Sequence, residues 1–372
     1  MVTISTGDGS VPSGIAVGDF NGDCRLDIVL TTSFTDNVGI LLEYGNGIFT
    51  AMITYPTGDS SLPVAVTVGD FNSDDGLDIV VVNHDSSNVA ILLGYSNGSF
   101  ANQVAYSTGT RCQPWSVAVG DVNNDKRLDL AVANYNVDNV GILLGHGTGT
   151  FAAVRTYSSG VGSGPSFISA GDFNKDNRLD IAVANSLSNN IGVFLGSGSE
   201  PFTGITAYAT GDGSRPHSVA VGDFNNDGRS DIVVANYGTN NVGIFKPMMN
   251  YSTGDGSAPF SVAVDHVSSD NRLDIVVANS KTNNIVILRG FSNGTFTIGE
   301  MYSTGDRFRP YTIVISDFNN DNRSDLAIVN SGTNNVLLFY GFGNEIFGNE
   351  ISYPLGYDYR PYSIAVIDVN QD

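Results

Sequence analysis

The chain is 372 residues long, 41% hydrophobic and only 15% charged. That balance supports a sizeable core and argues against disorder. The formal charge of −21 argues against nucleic acid or an anionic membrane surface as a partner, because both are gripped through Lys and Arg. The two cysteines, Cys24 and Cys112, are too few for a zinc site and poorly placed for a disulfide. No stretch approaches the ~18 apolar residues of a membrane span. Met1–Ser5 also lacks the basic start and long apolar run of a signal peptide.

From the N-terminus, Val2–Ser5 matches the YSTG segment that recurs later, so the chain is expected to begin mid-repeat. The first distinctive stretch is a nine-residue loop with side-chain oxygens at positions 1, 3, 5 and 9: Asp19, Asn21, Asp23 and Asp27. The pattern returns complete as Asp70, Asn72, Asp74, Asp78 and as Asp121, Asn123, Asp125, Asp129. It recurs as Asp172, Asn174, Asp176, Asp180 and as Asp223, Asn225, Asp227, Asp231. The last complete copy is Asp317, Asn319, Asp321, Asp325. A damaged copy carries His266 and Ser268 in place of Asp and Asn but keeps Asp270 and Asp274, and another begins at Asp368. The starts fall 51 residues apart, except for a 43-residue interval from Asp223 to His266. A period of this length marks one repeat array, read as a single domain over 1–372 of about seven repeats, beginning and ending mid-repeat.

Three carboxylates in nine residues repel one another by roughly 4 kcal/mol per pair at ~4 Å in an effective dielectric near 20. A hard divalent cation bound through oxygens removes that cost, and alternate residues at positions 1, 3 and 5 are calcium's known loop solution. Asp, Asn and Gly also make turns unaided. Turn chemistry alone gives little reason to keep four oxygens in register through six loops, so calcium at about six sites is expected, with position 9 closing the shell. Six such ions would bring the net charge to about −9. The damaged loop is expected to hold calcium weakly or not at all.

Between the loops, the fifth repeat reads as strands at Ser218–Gly222, Asp231–Ala235 and Val242–Phe245. The fourth strand is clearest one repeat earlier, from Phe202 to Tyr208. The first two are near-continuous apolar runs, which implies burial on both faces. Four strands per unit, seven units and no helical periodicity predict an all-β fold: a seven-bladed β-propeller of four-stranded antiparallel blades. An open solenoid is the alternative. The 43-residue interval arises from eight residues missing from the third-to-fourth strand hairpin of the fifth repeat, near KPMMN. The terminal strands Val2–Ser5 and Ser363–Val369 each duplicate a slot already filled. Closure with one of them redundant, or membership of a longer array, is therefore expected.

These residues, namely the DFNNDGRSD-type loops and G-x-G-x-F turns such as Gly147–Phe151, resemble the FG-GAP / VCBS repeats related to the integrin α-chain head. The resemblance covers essentially the whole chain. It implies seven blades with metal in the loop joining the first and second strands. Propeller geometry then puts these loops on one face with the third-to-fourth hairpins. The opposite face carries the loops leading into the first strand and those joining second to third. There the residue after a repeated proline varies: Ser13, Val64, Trp115, Ser166, His217, Phe260, Tyr311 and Tyr362. Arg111, Arg215, Arg309 and Arg360 stand beside it, and Asn83, Asn134, Asn185, Asn236, Asn279 and Asn330 are expected on the same rim.

Aromatic and Arg side chains on a rim suit recognition of a peptide or sugar, so Trp115, His217, Phe260, Arg309 and Tyr311 are the candidate ligand residues. The four histidines occupy unrelated loop positions, and no nucleophile–base arrangement stands out. The expected function is a non-catalytic, calcium-stabilised module for protein interaction or adhesion, outside cells or at the cell surface, where calcium is millimolar. A calcium-dependent lectin is the alternative, and a non-catalytic part of a larger secreted enzyme is a weaker third reading.

Overall fold

Second strands such as Asp78–Asn83 and Asp129–Asn134 are apolar along their length because each serves two interfaces. Ile79 and Val81 pack with Val29, Val38 and Ile40 of the preceding repeat. Val80 and Val82 pack with Leu130 and Val132 of the following one. Side chains of a strand alternate between faces, so a strand sandwiched between two sheets must be apolar at every position.

The computed structural model describes residues 10–44, 48–198, 201–245, 249–268, 270–319, 321–343, 346–354 and 362–364. Twenty-eight strands form seven four-stranded sheets, each in sequential antiparallel order. The blades span residues 12–56, 63–107, 114–158, 165–209, 216–252, 259–303 and 310–354 and are numbered 1–7. First strands of successive blades pack on one another and line the axis. Two 3-10 turns, Ser33–Thr35 and Tyr135–Val137, are the helical elements among the described residues. The fold is thus the seven-bladed propeller expected. Blade 5 places its strands at Pro216–Gly222, Asp231–Asn236, Asn241–Phe245 and Met249–Ser252. Val2–Ser5, the Asp368 loop, Arg360 and most of Ser363–Val369 lie outside the described residues.

Six hydrophobic clusters fill the spaces between consecutive blades, from blades 1 and 2 through blades 6 and 7. Each blade also clasps the next at the outer edge. A tyrosine of the fourth strand meets, edge to face, the phenylalanine that ends the neighbouring hairpin. Tyr55–Phe100, Tyr106–Phe151, Tyr157–Phe202, Tyr251–Phe296 and Tyr302–Phe347 have centroids 5.4–5.9 Å apart. In three of these clasps the phenylalanine N–H also donates to the tyrosine hydroxyl, at 3.0–3.1 Å. The eight-residue gap falls where blade 5 should supply this phenylalanine. Tyr208 of blade 4 packs against Phe245 instead, at 5.7 Å, and is left 45% exposed. Blade 5 keeps a fourth strand, Met249–Ser252, paired with the third. Its outer hairpin is shortened but not lost.

Candidate functional site

The acid loops are built around their own main chain. In the first loop, Oδ1 of Asp19 accepts N–H bonds from Asn21, Gly22 and Asp23 at 3.2, 2.8 and 3.2 Å, and Oδ2 accepts from Cys24 at 2.8 Å. Position 3 (Asn21) accepts from the amide of Asp23 at 3.0 Å, and position 5 (Asp23) accepts from Arg25 at 2.9 Å. The same ladder recurs from Asp70, Asp121, Asp172, Asp223 and Asp317. Position 9 differs in kind. Asp27, Asp78, Asp129, Asp180 and Asp325 are fully buried, and Asp231 nearly so. In Asp129 one carboxyl oxygen takes the N–H of Val122 at 3.0 Å and the other that of Gly145, in the outer hairpin, at 2.7 Å. The ninth residue therefore rivets the loop to the hairpin beside it.

That geometry gives two of the three recurring acids a reason of their own. Position 1 shapes the turn and position 9 joins two main-chain segments, so their register does not by itself require an ion. The donor set nevertheless suits a hard cation, because the side-chain donors at positions 1, 3, 5 and 9 are all oxygens. Among the described residues, no three His, Cys, Asp or Glu side chains converge closely enough to enclose an ion. The Nδ2 groups of Asn21 and Asn123 instead reach Asp23 and Asp125 at 3.2 and 3.1 Å, setting a donor between positions 3 and 5.

Burial dominates the electrostatics of the ninth residue. It lifts Asp27, Asp78 and Asp129 to about 6, against two main-chain N–H bonds that pull each down, with the acids at positions 5 and 1 adding repulsion. Asp180, Asp274 and Asp325 are raised for the same reasons. The damaged loop has its own cations. Arg272 and Arg289 lie 3.4 and 3.7 Å from Asp270, and Ser268 Oγ donates to it at 2.8 Å. Burial alone would raise Asp270, but the Ser268 hydroxyl, the Arg272 amide and the two arginine charges hold it below the usual carboxylate range.

On the opposite face the seven lead-in loops share an unusual backbone. The residue before the proline is left-handed in every blade, and only blade 4 uses glycine there. Val11, Leu62, Gln113, Arg215, Ala258 and Arg309 have φ of 43–50°. The preceding blade's second-to-third turn holds this residue in place. Asp36 accepts the Leu62 N–H at 2.9 Å, Asn189 that of Arg215 at 3.0 Å and Asn283 that of Arg309 at 2.9 Å. The rim is thus a chain of interlocked turns carrying side chains from strained, pinned positions. Sequence reasoning missed these locks, although the Asp-Asn or Asn-Asn pair that ends each turn except blade 2's Ser-Asn was a visible signal.

Of the five candidate ligand residues, three come together. His217, Phe260 and Tyr311, from blades 5, 6 and 7, form a continuous stack with centroids 3.7 and 3.8 Å apart, extended by Tyr362 at 4.8 Å. Burial pushes His217 down to about 4, against a hydrogen bond to the Phe260 main chain that raises it. The Tyr311 phenol is pushed above its ordinary value by burial and by Tyr362 and Tyr237. Arg309 stands exposed two residues before Tyr311. Trp115 lies apart, 43% exposed and edge-on to His84 at 4.8 Å. Two residues beyond the five candidates join the stack: Tyr237, legible in the second-to-third loop and 6.2 Å from Phe260, and Lys281, not singled out from the sequence, whose ammonium lies 5.1 Å from the Tyr237 ring centre.

One expectation is corrected. Asn83, Asn134, Asn185, Asn236, Asn279 and Asn330 are fully buried and do not belong to the rim. Nδ2 of Asn134 donates to the Thr108 carbonyl at 3.4 Å and to Asn139 Oδ1 at 2.9 Å, and Asn83, Asn185 and Asn279 repeat the arrangement. Their amides tie the second-to-third turn to the lead-in loop. On the same face, a shallow depression of about 210 Å³ between blades 1 and 2 is lined by Ser33, Phe34, Asp36, Ser60, Leu62 and Asp85.

Fold and loops together define a repeat β-propeller with an acidic loop at the base of its blades. Models of the FG-GAP-like repeat match residues 19–81, 70–132, 121–183, 172–234, 267–328 and 317–372, and the FG-GAP repeat matches 216–256. The chain belongs to the FG-GAP repeat family. Among solved structures it is similar to virginiamycin B lyase from Staphylococcus aureus (TM-score 0.60, 16% identity, 88% of this chain and 94% of that one). It is also similar to BBS1N in complex with ARL6DN (TM-score 0.57, 13% identity, 97% and 95%). A third is an Agrocybe aegerita lectin described as recognising non-reducing terminal N-acetylglucosamine (TM-score 0.52, 16% identity, 93% and 80%). At these identities the likeness is one of fold. A comparison with curated protein sequences gives no match. Among the described residues no helix is long and apolar enough to cross a membrane.

Proposed function

We propose that this chain is a non-catalytic binding propeller, working outside cells or at their surface, that engages a protein ligand through the face opposite its acid loops. The observation that carries the reading is the stack of His217, Phe260 and Tyr311. Seven blades repeat the same frame, yet among the described residues only blades 5–7 join their variable residues into one aromatic body. Three different side chains on consecutive blades suit one asymmetric partner better than identical sites repeated blade by blade. In this reading calcium occupies the loops that begin at Asp19, Asp70, Asp121, Asp172, Asp223 and Asp317 and stiffens the opposite face.

A lectin is the weaker reading. Sugar rings pack on an open aromatic face, and Phe260 is half-buried with ring neighbours at 3.7 and 3.8 Å.

Thermal unfolding with and without EGTA tests the metal. A site loaded to 100 times its Kd adds about 2.7 kcal/mol, so stripping several sites should lower Tm steeply. An unchanged Tm would remove calcium from the proposal. The ligand face is tested by changing Arg309 and Tyr311 to Ala, which should abolish binding of any protein ligand found. Undiminished binding would place the ligand elsewhere.

A further inference from the structure

We infer that the aromatic stack of blades 5–7 is a docking site for an acidic peptide segment of a partner protein, one whose Asp or Glu carboxylates meet Arg215, Lys281 and Arg309. The inference rests on the reading of this face as the interaction surface and adds the chemistry of the partner.

Three observations carry it. The first is the geometry of the stack. Phe260 is half-buried, with the rings of His217 and Tyr311 at 3.7 and 3.8 Å tilted against it by 41° and 38°, so the stack presents ring edges beside ring faces. Ring edges are the electropositive part of an aromatic quadrupole, and a carboxylate suits an edge where a sugar or a cation prefers a face.

The second is the placement of charge. Arg215 and Arg309 are exposed, and each stands two residues before a member of the stack, His217 and Tyr311. Lys281 is exposed and lies over Tyr237, which touches Phe260. Asp212, Asp255 and Asp306 lie three residues further out in the same lead-in loops, so the loops as a whole are mixed in sign. Lys281 is the cation with a ring contact, over Tyr237. Across the ring, the depression between blades 1 and 2 is lined by Asp36 and Asp85 and no cation, and Arg111 is exposed in the lead-in loop of blade 3. In a chain of net charge −21, exposed cations beside one aromatic body suit an acidic partner.

The third is pre-organisation. Arg215 and Arg309 sit at φ 45° and 50°, each fixed by an asparagine of the preceding blade. A side chain projected from a pinned backbone loses less freedom on binding than one from a mobile loop.

The test is selection of a random dodecapeptide library on the intact chain in calcium, followed by fluorescence anisotropy of the recovered peptides. Two triple variants are compared. Arg215→Gln/Lys281→Gln/Arg309→Gln removes the cations of the stack, and Arg111→Gln/Arg155→Gln/Arg289→Gln removes the same charge elsewhere. Circular dichroism and Tm confirm that both fold. Recovered peptides enriched in Asp and Glu, losing about tenfold or more in affinity on the first variant and less than about twofold on the second, support the inference. Peptides without acidic bias that compete at Tyr311 but bind both variants equally would overturn the acidic chemistry while leaving the interaction surface standing. Peptides insensitive to Tyr311→Ala and to either triple variant would overturn both.

Discussion

The ninth residue of each acid loop shows how one side chain can hold two segments at once. Asp129 is fully buried and satisfies the N–H groups of Val122 and Gly145. Asp129→Ala strands both donors, each worth about 1–3 kcal/mol when buried and unpaired. Asp129→Asn keeps one acceptor and should cost about half as much, measured by urea unfolding. The same burial has a pH signature. Asp27, Asp78 and Asp129 are lifted from 3.8 to about 6 in the folded chain. Folded protein therefore keeps protons that the unfolded chain has released, and this contribution to stability is lost as pH rises toward 6. In EGTA, Tm should accordingly fall between pH 5 and pH 7. With calcium bound the trend should reverse, because ligation requires ionised carboxylates. At this scale the sequence revealed which residues recur but not why. Position 9 was legible as a candidate ligand, whereas its second partner, a hairpin amide sixteen residues downstream, is invisible until the strands are paired.

At the scale of the element, two devices join each blade to the next: strands apolar on both faces and the tyrosine–phenylalanine clasp. Phe296 packs against Phe224 and Tyr251 and takes part in the core between blades 5 and 6. Phe296→Ala should cost about 3–5 kcal/mol. Tyr251→Phe, which removes the acceptor for the Phe296 N–H and a weak donation to Met249 Sδ, should cost about 1–2 kcal/mol. A smaller loss for the alanine variant than for the phenylalanine one, by chemical denaturation, would contradict this ranking. Strand positions were legible because apolar runs bounded by Gly and Asn carry their own punctuation: Ser218–Gly222 was expected and Pro216–Gly222 is found. The left-handed turn residues were not, since neither Leu62 nor Arg309 is itself a residue type that favours φ near +45°. What holds them is a side chain from the preceding turn.

For the whole molecule, the period alone was enough to count the blades and assign loops to faces. It could not say which rim residues meet, because contacts between residues about 50 positions apart depend on how far each blade turns about the axis. Hence Trp115 and His217 looked equivalent in sequence, yet one is paired with His84 and the other with Phe260. Each core joins only neighbouring blades, so stability is a sum of local interfaces, as in other repeat proteins. Such a sum has a weakest member. Where blade 5 lacks its clasping phenylalanine, Tyr208 is 45% exposed, whereas the matching tyrosines Tyr55, Tyr106, Tyr157, Tyr251 and Tyr302 are half-buried. Amide exchange should be fastest along Phe202–Ala209 relative to the matching strands of blades 3 and 6. A disc made of near-identical wedges thus has a seam, and heat, a protease or a pulling force would be expected to part it there first.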